Sequence, residues 1–102
     1  MDQALADFSQ AMGLDPKQAA FHTNRGRVYE LKEQFDQALA EHDAAIGLDP
    51  KLALAYANRG LAYEGKGEPG RALIEFQAAL DIDPNLDQAK EGSDRVRAST
   101  AR

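Results

Sequence analysis

Residues 53–86 read ALAYANRGLAYEGKGEPGRALIEFQAALDIDPNL, and residues 19–52 read AAFHTNRGRVYELKEQFDQALAEHDAAIGLDPKL, two gapless copies of one 34-residue unit. The copies share Asn24/Asn58, Arg25/Arg59, Gly26/Gly60, Tyr29/Tyr63, Ala38/Ala72, Leu39/Leu73, Glu41/Glu75, Ala45/Ala79 and Pro50/Pro84. They end alike, in Leu48-Asp49-Pro50 and Ile82-Asp83-Pro84, and a third such ending, Leu14-Asp15-Pro16, lies 34 residues upstream of the first. A chain that repeats itself at this period is a stack of like units, each of which buries its apolar face only against its neighbours. Function then belongs to a repeated surface and not to one catalytic cleft.

Within a unit the apolar residues recur at helical spacing, as in Phe21, Val28, Tyr29 and then Phe35, Ala38, Leu39, Ala45, Ile46. The pattern breaks at Lys32-Glu33-Gln34 and at Gly65-Lys66-Gly67-Glu68, which read as turns inside two helical hairpins. Pro69 suits the first turn of the helix that follows, since its missing N–H would be unpaired there anyway. Each Asp-Pro step reads as a turn between units, because the residue before a proline avoids the α region. The expectation is an all-α stack of antiparallel hairpins with about six helices, near 2–13, 18–32, 35–47, 52–65, 69–81 and 86–98.

Composition limits what such a stack does. The 102 residues contain no Cys and no Trp, so disulfides and thiolate metal sites are excluded. Seventeen acidic and twelve basic side chains, intermixed along the chain, give a net charge of −5, the opposite of the basic stripe that nucleic-acid binding needs. No apolar run reaches the length of a signal-peptide core or a membrane span, and the expected setting is the cytoplasm, with neither nucleic acid nor membrane as partner.

The unit resembles the tetratricopeptide repeat, whose pattern of aromatic, small, aromatic, Ala, aromatic, Ala and Pro is filled by Tyr56, Gly60, Tyr63, Ala72, Phe76, Ala79 and Pro84. The first unit fills the same slots with His22, Gly26, Tyr29, Ala38, His42, Ala45 and Pro50. The resemblance implies a right-handed superhelical α-solenoid in which the first helix of each hairpin lines a concave groove. It divides the chain into the second helix of an incomplete repeat (1–18), two repeats (19–52 and 53–86) and a capping helix with a tail (87–102). In the last helix Lys90, Ser93, Asp94 and Arg97 replace the usual packing residues, as a solvated terminal cap requires. The opening segment has no preceding first helix, so the chain is expected to begin in mid-repeat. Leu5, Phe8 and Met12 are then bare unless another copy covers them, which predicts homo-oligomerisation.

Asn24 and Asn58 fall at one position of successive first helices, where a primary amide pairs with both the N–H and the C=O of an extended peptide. Such asparagine ladders belong to the tetratricopeptide superhelix of O-linked N-acetylglucosamine transferase, which the chain resembles at these two positions. The alternative is an amide that bonds only locally. Thr23, Arg27, Leu54 and Leu61 complete the expected peptide-binding face. A clamp for acidic C-terminal tails needs basic residues where Thr23, Gln88 and Gly92 stand, so a peptide of another kind is the expected partner. Arg25 and Arg59 occupy a slot where the family usually has Leu, and each has an acid at the same offset, Glu41 or Glu75, with which it is expected to pair.

His22 and His42 are the only histidines, and without a third ligand such as Cys they read as packing residues and not as a metal site. No nucleophile has a consistent base and acid partner. The sequence therefore reads as a protein–protein interaction scaffold with no catalytic residues, metal or cofactor, the alternative being a self-associating structural module.

Overall fold

In a computed structural model of the chain, which describes residues 16–100, five helices follow one another: α1 (Pro16–Leu31), α2 (Phe35–Leu48), α3 (Ala53–Gly65), α4 (Pro69–Ile82) and α5 (Asp87–Thr100). The helix expected near 2–13, with Leu5, Phe8 and Met12, lies outside the described residues. The other five expected spans agree with α1 to α5 to within two residues at each end.

The helices stop where the sequence obliges them to. Asp49 and Asp83 lie in extended backbone, with φ of −143° and −134°, because each precedes a proline. The Asp49 carboxylate accepts the N–H of Lys51 at 3.1 Å and the Asp83 carboxylate that of Asn85 at 3.0 Å. Their carbonyls accept the N–H groups of Leu52 and Leu86, both at 3.1 Å, so the two joints between units are one structure built twice. The turns inside the hairpins match as well. Gln34 N–H bonds to Tyr29 O at 2.8 Å and Glu68 N–H to Tyr63 O at 2.9 Å, each closing the six-residue loop that ends a helix on a left-handed residue. That residue is Gly67 in one turn (φ 80°) and Glu33 in the other (φ 60°), where a side chain tolerates what glycine adopts freely.

α1 packs against α2 and α3 against α4 as antiparallel hairpins, and α2 on α3 and α4 on α5 join them into a slab of 47 × 28 × 17 Å. Small residues set the spacing. Ala45, Ala55, Ala79 and Ala89 are fully buried where one hairpin meets the next. The fully buried Phe76 ring lies between two glycines: a methyl group at Gly60 would stand 2.8 Å from its Cε1 and one at Gly92 2.5 Å from its Cζ. His42 takes the equivalent place over Gly26.

The two ends of the stack show different faces. Ser93 is buried at 1% exposure, with no partner for its hydroxyl, so α5 has a packing face of Ala89, Gly92, Ser93 and Val96, while Lys90, Asp94 and Arg97 lie on its solvated side. On α1 the apolar positions Phe21 and Val28 are about half exposed and Leu31 more so, because no helix among the described residues covers that side.

Candidate functional site

α3 touches α1 on one side and α5 on the other, so the three first helices stand in a row with α2 and α4 behind them. The row is stitched by side chains that face along it. Asn58 of α3 donates to the Thr23 hydroxyl of α1 at 3.3 Å, and Arg95 of α5 forks onto both carboxylate oxygens of Glu64 of α3 at 2.7 Å each. Helical spacing from these contacts places Thr23, Arg27 and Glu30, then Leu54, Asn58, Leu61 and Glu64, then Gln88, Glu91 and Arg95 along one surface.

Beneath its α1 edge lies a polar chain that the sequence reading did not assemble. His42, wholly buried, reaches from α2 across Gly26 and bonds to Glu30 through Nε2 at 2.6 Å and to Thr23 through Nδ1 at 2.8 Å. Glu30 also accepts from Arg27 at 2.6 Å. With a carboxylate accepting at Nε2, a neutral imidazole carries its proton there. Nδ1 then accepts the Thr23 hydroxyl, whose oxygen accepts the Asn58 amide. Every group is matched except the Asn58 carbonyl oxygen, which is buried without a partner. The second unit lacks the chain because Ala57 and Phe76 stand where Thr23 and His42 stand in the first. That paired departure between copies was the available signal.

Arg25 and Arg59 pair as expected. Arg25 donates from Nε and Nη2 to Glu41 at 2.9 and 2.6 Å, and Arg59 bonds Glu75 at 2.9 Å and Asp43 at 2.7 Å. Each guanidinium also stacks on a ring of its own helix, Phe21 at 5.4 Å and Tyr56 at 5.5 Å. Partial burial pushes the Glu41 carboxyl up, yet hydrogen bonds from His22 (2.9 Å) and Arg25 and the Arg25 charge outweigh it and hold the group below the usual carboxylate range. Desolvation likewise disfavours the Arg59 charge, and the bonds to Glu75 and Asp43 reverse it. The two histidines have different partners, Glu41 for His22 and Glu30 with Thr23 for His42.

The expected peptide-binding residues divide into groups. Asn24 is exposed, whereas Asn58, at the same position of the next unit, is 2% exposed and spends its N–H on Thr23. The difference arises because α3 has a first helix before it and no described first helix stands before α1. Thr23 is buried and engaged, Arg27 is part exposed and bound to Glu30, and Leu54 and Leu61 are half-buried. Leu61 packs on the cluster around Phe76, so these leucines form an apolar floor on α3 between the Arg27–Glu30 and Glu64–Arg95 ion pairs. Among the described residues no three His, Cys, Asp or Glu side chains group to hold a metal, and no helix is long and apolar enough to cross a membrane.

A family model described as TPR repeat matches residues 31–67, and one described as tetratricopeptide repeat matches residues 53–86. The fold is similar to that of the Arabidopsis OM64 TPR domain, with TM-score 0.76 and 29% identity over 87% of this chain and 74% of that one. It is also similar to the second TPR domain of human RPAP3, solved in complex with an HSP70 peptide, with TM-score 0.74 and 26% identity over 81% of this chain and 69% of that one. The second TPR of Spaghetti (RPAP3), bound to an HSP90 peptide, shares the fold at TM-score 0.79 and 22% identity, over 84% of this chain and 80% of that one. No curated protein sequence matches the chain.

Proposed function

Because this chain belongs to the tetratricopeptide repeat family, we propose that it is a protein-interaction scaffold whose first-helix face receives a peptide segment of a partner. The observation that carries this is the row of α1, α3 and α5, with Leu54 and Leu61 at its centre and an ion pair on either side. Thr23, Asn24, Arg27, Leu54, Asn58 and Leu61 are the residues proposed to contact the peptide or to hold the contacting ones in place. The human RPAP3 domain, which is similar in fold, is seen with a peptide, and that supports a peptide as the ligand class.

The chemistry favours a segment with an apolar centre over an acidic tail. Arg27 and Arg95 each already hold a carboxylate of this chain, which offsets the positive charge an acidic peptide would otherwise meet. An apolar side chain laid on Leu54 and Leu61 displaces only water, and burying it contributes roughly 1.5–3 kcal/mol. The cytoplasm is the compartment this reading takes. Selection of a displayed random-peptide library on the immobilised protein, followed by titration of the selected peptides, tests it. We expect apolar-centred sequences whose binding is lost in Leu54→Asp/Leu61→Asp, with helix content preserved by circular dichroism. Selected peptides that bind this variant unchanged would refute the assignment of the face.

A further inference from the structure

The bonds that run from Asn58 through Thr23 and His42 to Glu30 have a direction, and one hydroxyl proton sets it. The Asn58 amide donates to Thr23 Oγ1, the hydroxyl donates to His42 Nδ1, and the ring donates from Nε2 to Glu30. Thr23, His42 and Asn58 are no more than 2% exposed and Glu30 is 8% exposed, so a mismatched donor has no solvent to turn to. Run in this sense, the chain ends on an orphan: Oδ1, the other polar atom of the Asn58 amide, is buried without a partner.

We propose that these residues form a proton-operated switch: when His42 takes up a second ring proton, the bonds from Nδ1 to Asn58 reverse and the Asn58 amide turns over. Imidazole is the side chain that gains a proton between neutral and mildly acidic pH. The added proton goes to Nδ1, since Nε2 already carries one toward Glu30, and the ring and Glu30 become an ion pair at 2.6 Å. The Thr23 oxygen then has to accept from Nδ1 and turn its own proton away. Its other neighbour, 3.3 Å off, is the Asn58 amide, which accepts that proton once rotation about χ2, a broad two-fold torsion, puts Oδ1 where Nδ2 stood. The orphan oxygen thereby gains a partner. The charged groups around the ring leave this step to Glu30, which on α1 is held in turn by Arg27. On α2, Glu41 is bound by His22 and Arg25, and Asp43 by Arg59; on α3, Arg59 is bound by Asp43 and Glu75, and Glu64 by Arg95. The second unit, with Ala57 and Phe76 at these places, has no such switch. The inference does not rest on the peptide-binding reading.

The test is a pH titration of the isotope-labelled full chain by NMR, over the range in which circular dichroism shows intact helices. The expected result is a neutral His42 protonated on Nε2, whose Nδ1 gains a proton on acidification while the Asn58 side-chain amide signals shift with the same midpoint. Thr23→Val loses the Asn58 response and Thr23→Ser, which keeps the hydroxyl, retains it. A ring that stays neutral until the helices melt overturns the proposal. So does an Asn58 amide that stays silent while Nδ1 titrates, the hydroxyl having turned to a carbonyl of its own helix. An Asn58 response that persists unchanged in Thr23→Val reports only the charge felt through space and overturns it too. The unaltered chain gives an independent reading: the nuclear Overhauser contact between the Asn58 amide protons and Thr23 weakens across the midpoint, and a contact that stays constant refutes the reversal.

Discussion

Replacing Thr23 by alanine removes one hydroxyl and strands two buried groups at once. His42 Nδ1 loses the partner at 2.8 Å and the Asn58 amide the partner at 3.3 Å, and neither residue is more than 2% exposed. A buried polar group left without its partner costs roughly 1–3 kcal/mol, and the longer bond counts at the low end, so Thr23→Ala should cost about 2–4 kcal/mol. At roughly 4–8 °C per kcal/mol for a domain of this size, the midpoint falls by about 8–32 °C. Thr23→Ser keeps the hydroxyl and loses about 1 kcal/mol for the methyl group. His42→Phe alone leaves Glu30 with Arg27 only and the Thr23 proton unaccepted, at a cost of roughly 1–3 kcal/mol. Combined, Thr23→Ala/His42→Phe reproduces the Ala57 and Phe76 arrangement of the second unit, where the ring already fits over a glycine. The double variant should therefore cost less than the sum of the singles by about 1 kcal/mol or more. Urea denaturation followed by far-ultraviolet circular dichroism gives all four values, with equal slopes as the check on cooperativity. If Thr23→Ala and Thr23→Ser behave alike, or if the two changes add to within about 0.5 kcal/mol, the hydroxyl does not join these groups and the chain of bonds is wrong.

Three further outcomes follow from the geometry. Gly92→Ala places a methyl group 2.5 Å from the buried Phe76 ring and should lose about 1–2 kcal/mol after its helix-propensity gain, whereas Gly47→Ala, with nothing within 4 Å, should gain up to about 1 kcal/mol; thermal melts of the two variants should move in opposite directions. Glu33→Gly relieves a side chain at φ 60° and should stabilise by about 0.5–1 kcal/mol, read as a higher denaturation midpoint. The Glu41 pKa is lowered on folding, so between the folded and unfolded values the unfolded chain binds more protons. The stability this contributes is present above the ordinary carboxylate value of about 4.3 and is lost as the pH falls through the folded pKa. Glu41→Gln should flatten that part of the stability profile measured from pH 7 to pH 3, and an unchanged acid limb would show that the His22 and Arg25 contacts do not act on this group.

What could be read from the sequence was what the repeat itself records. Helix ends, Asp-Pro joints and the Arg25–Glu41 and Arg59–Glu75 pairs recur 34 residues apart, and comparing the copies exposes both partners of each contact. What could not be read depends on position in the stack. Asn24 and Asn58 are one residue twice in the sequence but not in the fold, since only Asn58 has Thr23 across from it on a preceding first helix. Apolar spacing likewise puts Phe21 and Val28 on a helix without saying whether they are covered, since burial depends on what lies over a face as well as on which residues compose it. His42 was rightly placed in a packing slot, but its bonds to Glu30 and Thr23 join residues whose significance emerges only when two hairpin faces are superposed.

The identity of the two Asp-Pro joints also makes array length an adjustable quantity. A second insertion of residues 53–86 after Leu86 would begin and end on a joint the chain already forms. The new surfaces would meet through alanines that already serve at such a seam. Such a chain could be lengthened in whole steps, each adding another copy of Leu54, Asn58 and Leu61 to the row, so that the reach for a longer partner is set by counting units and not by redesigning any of them.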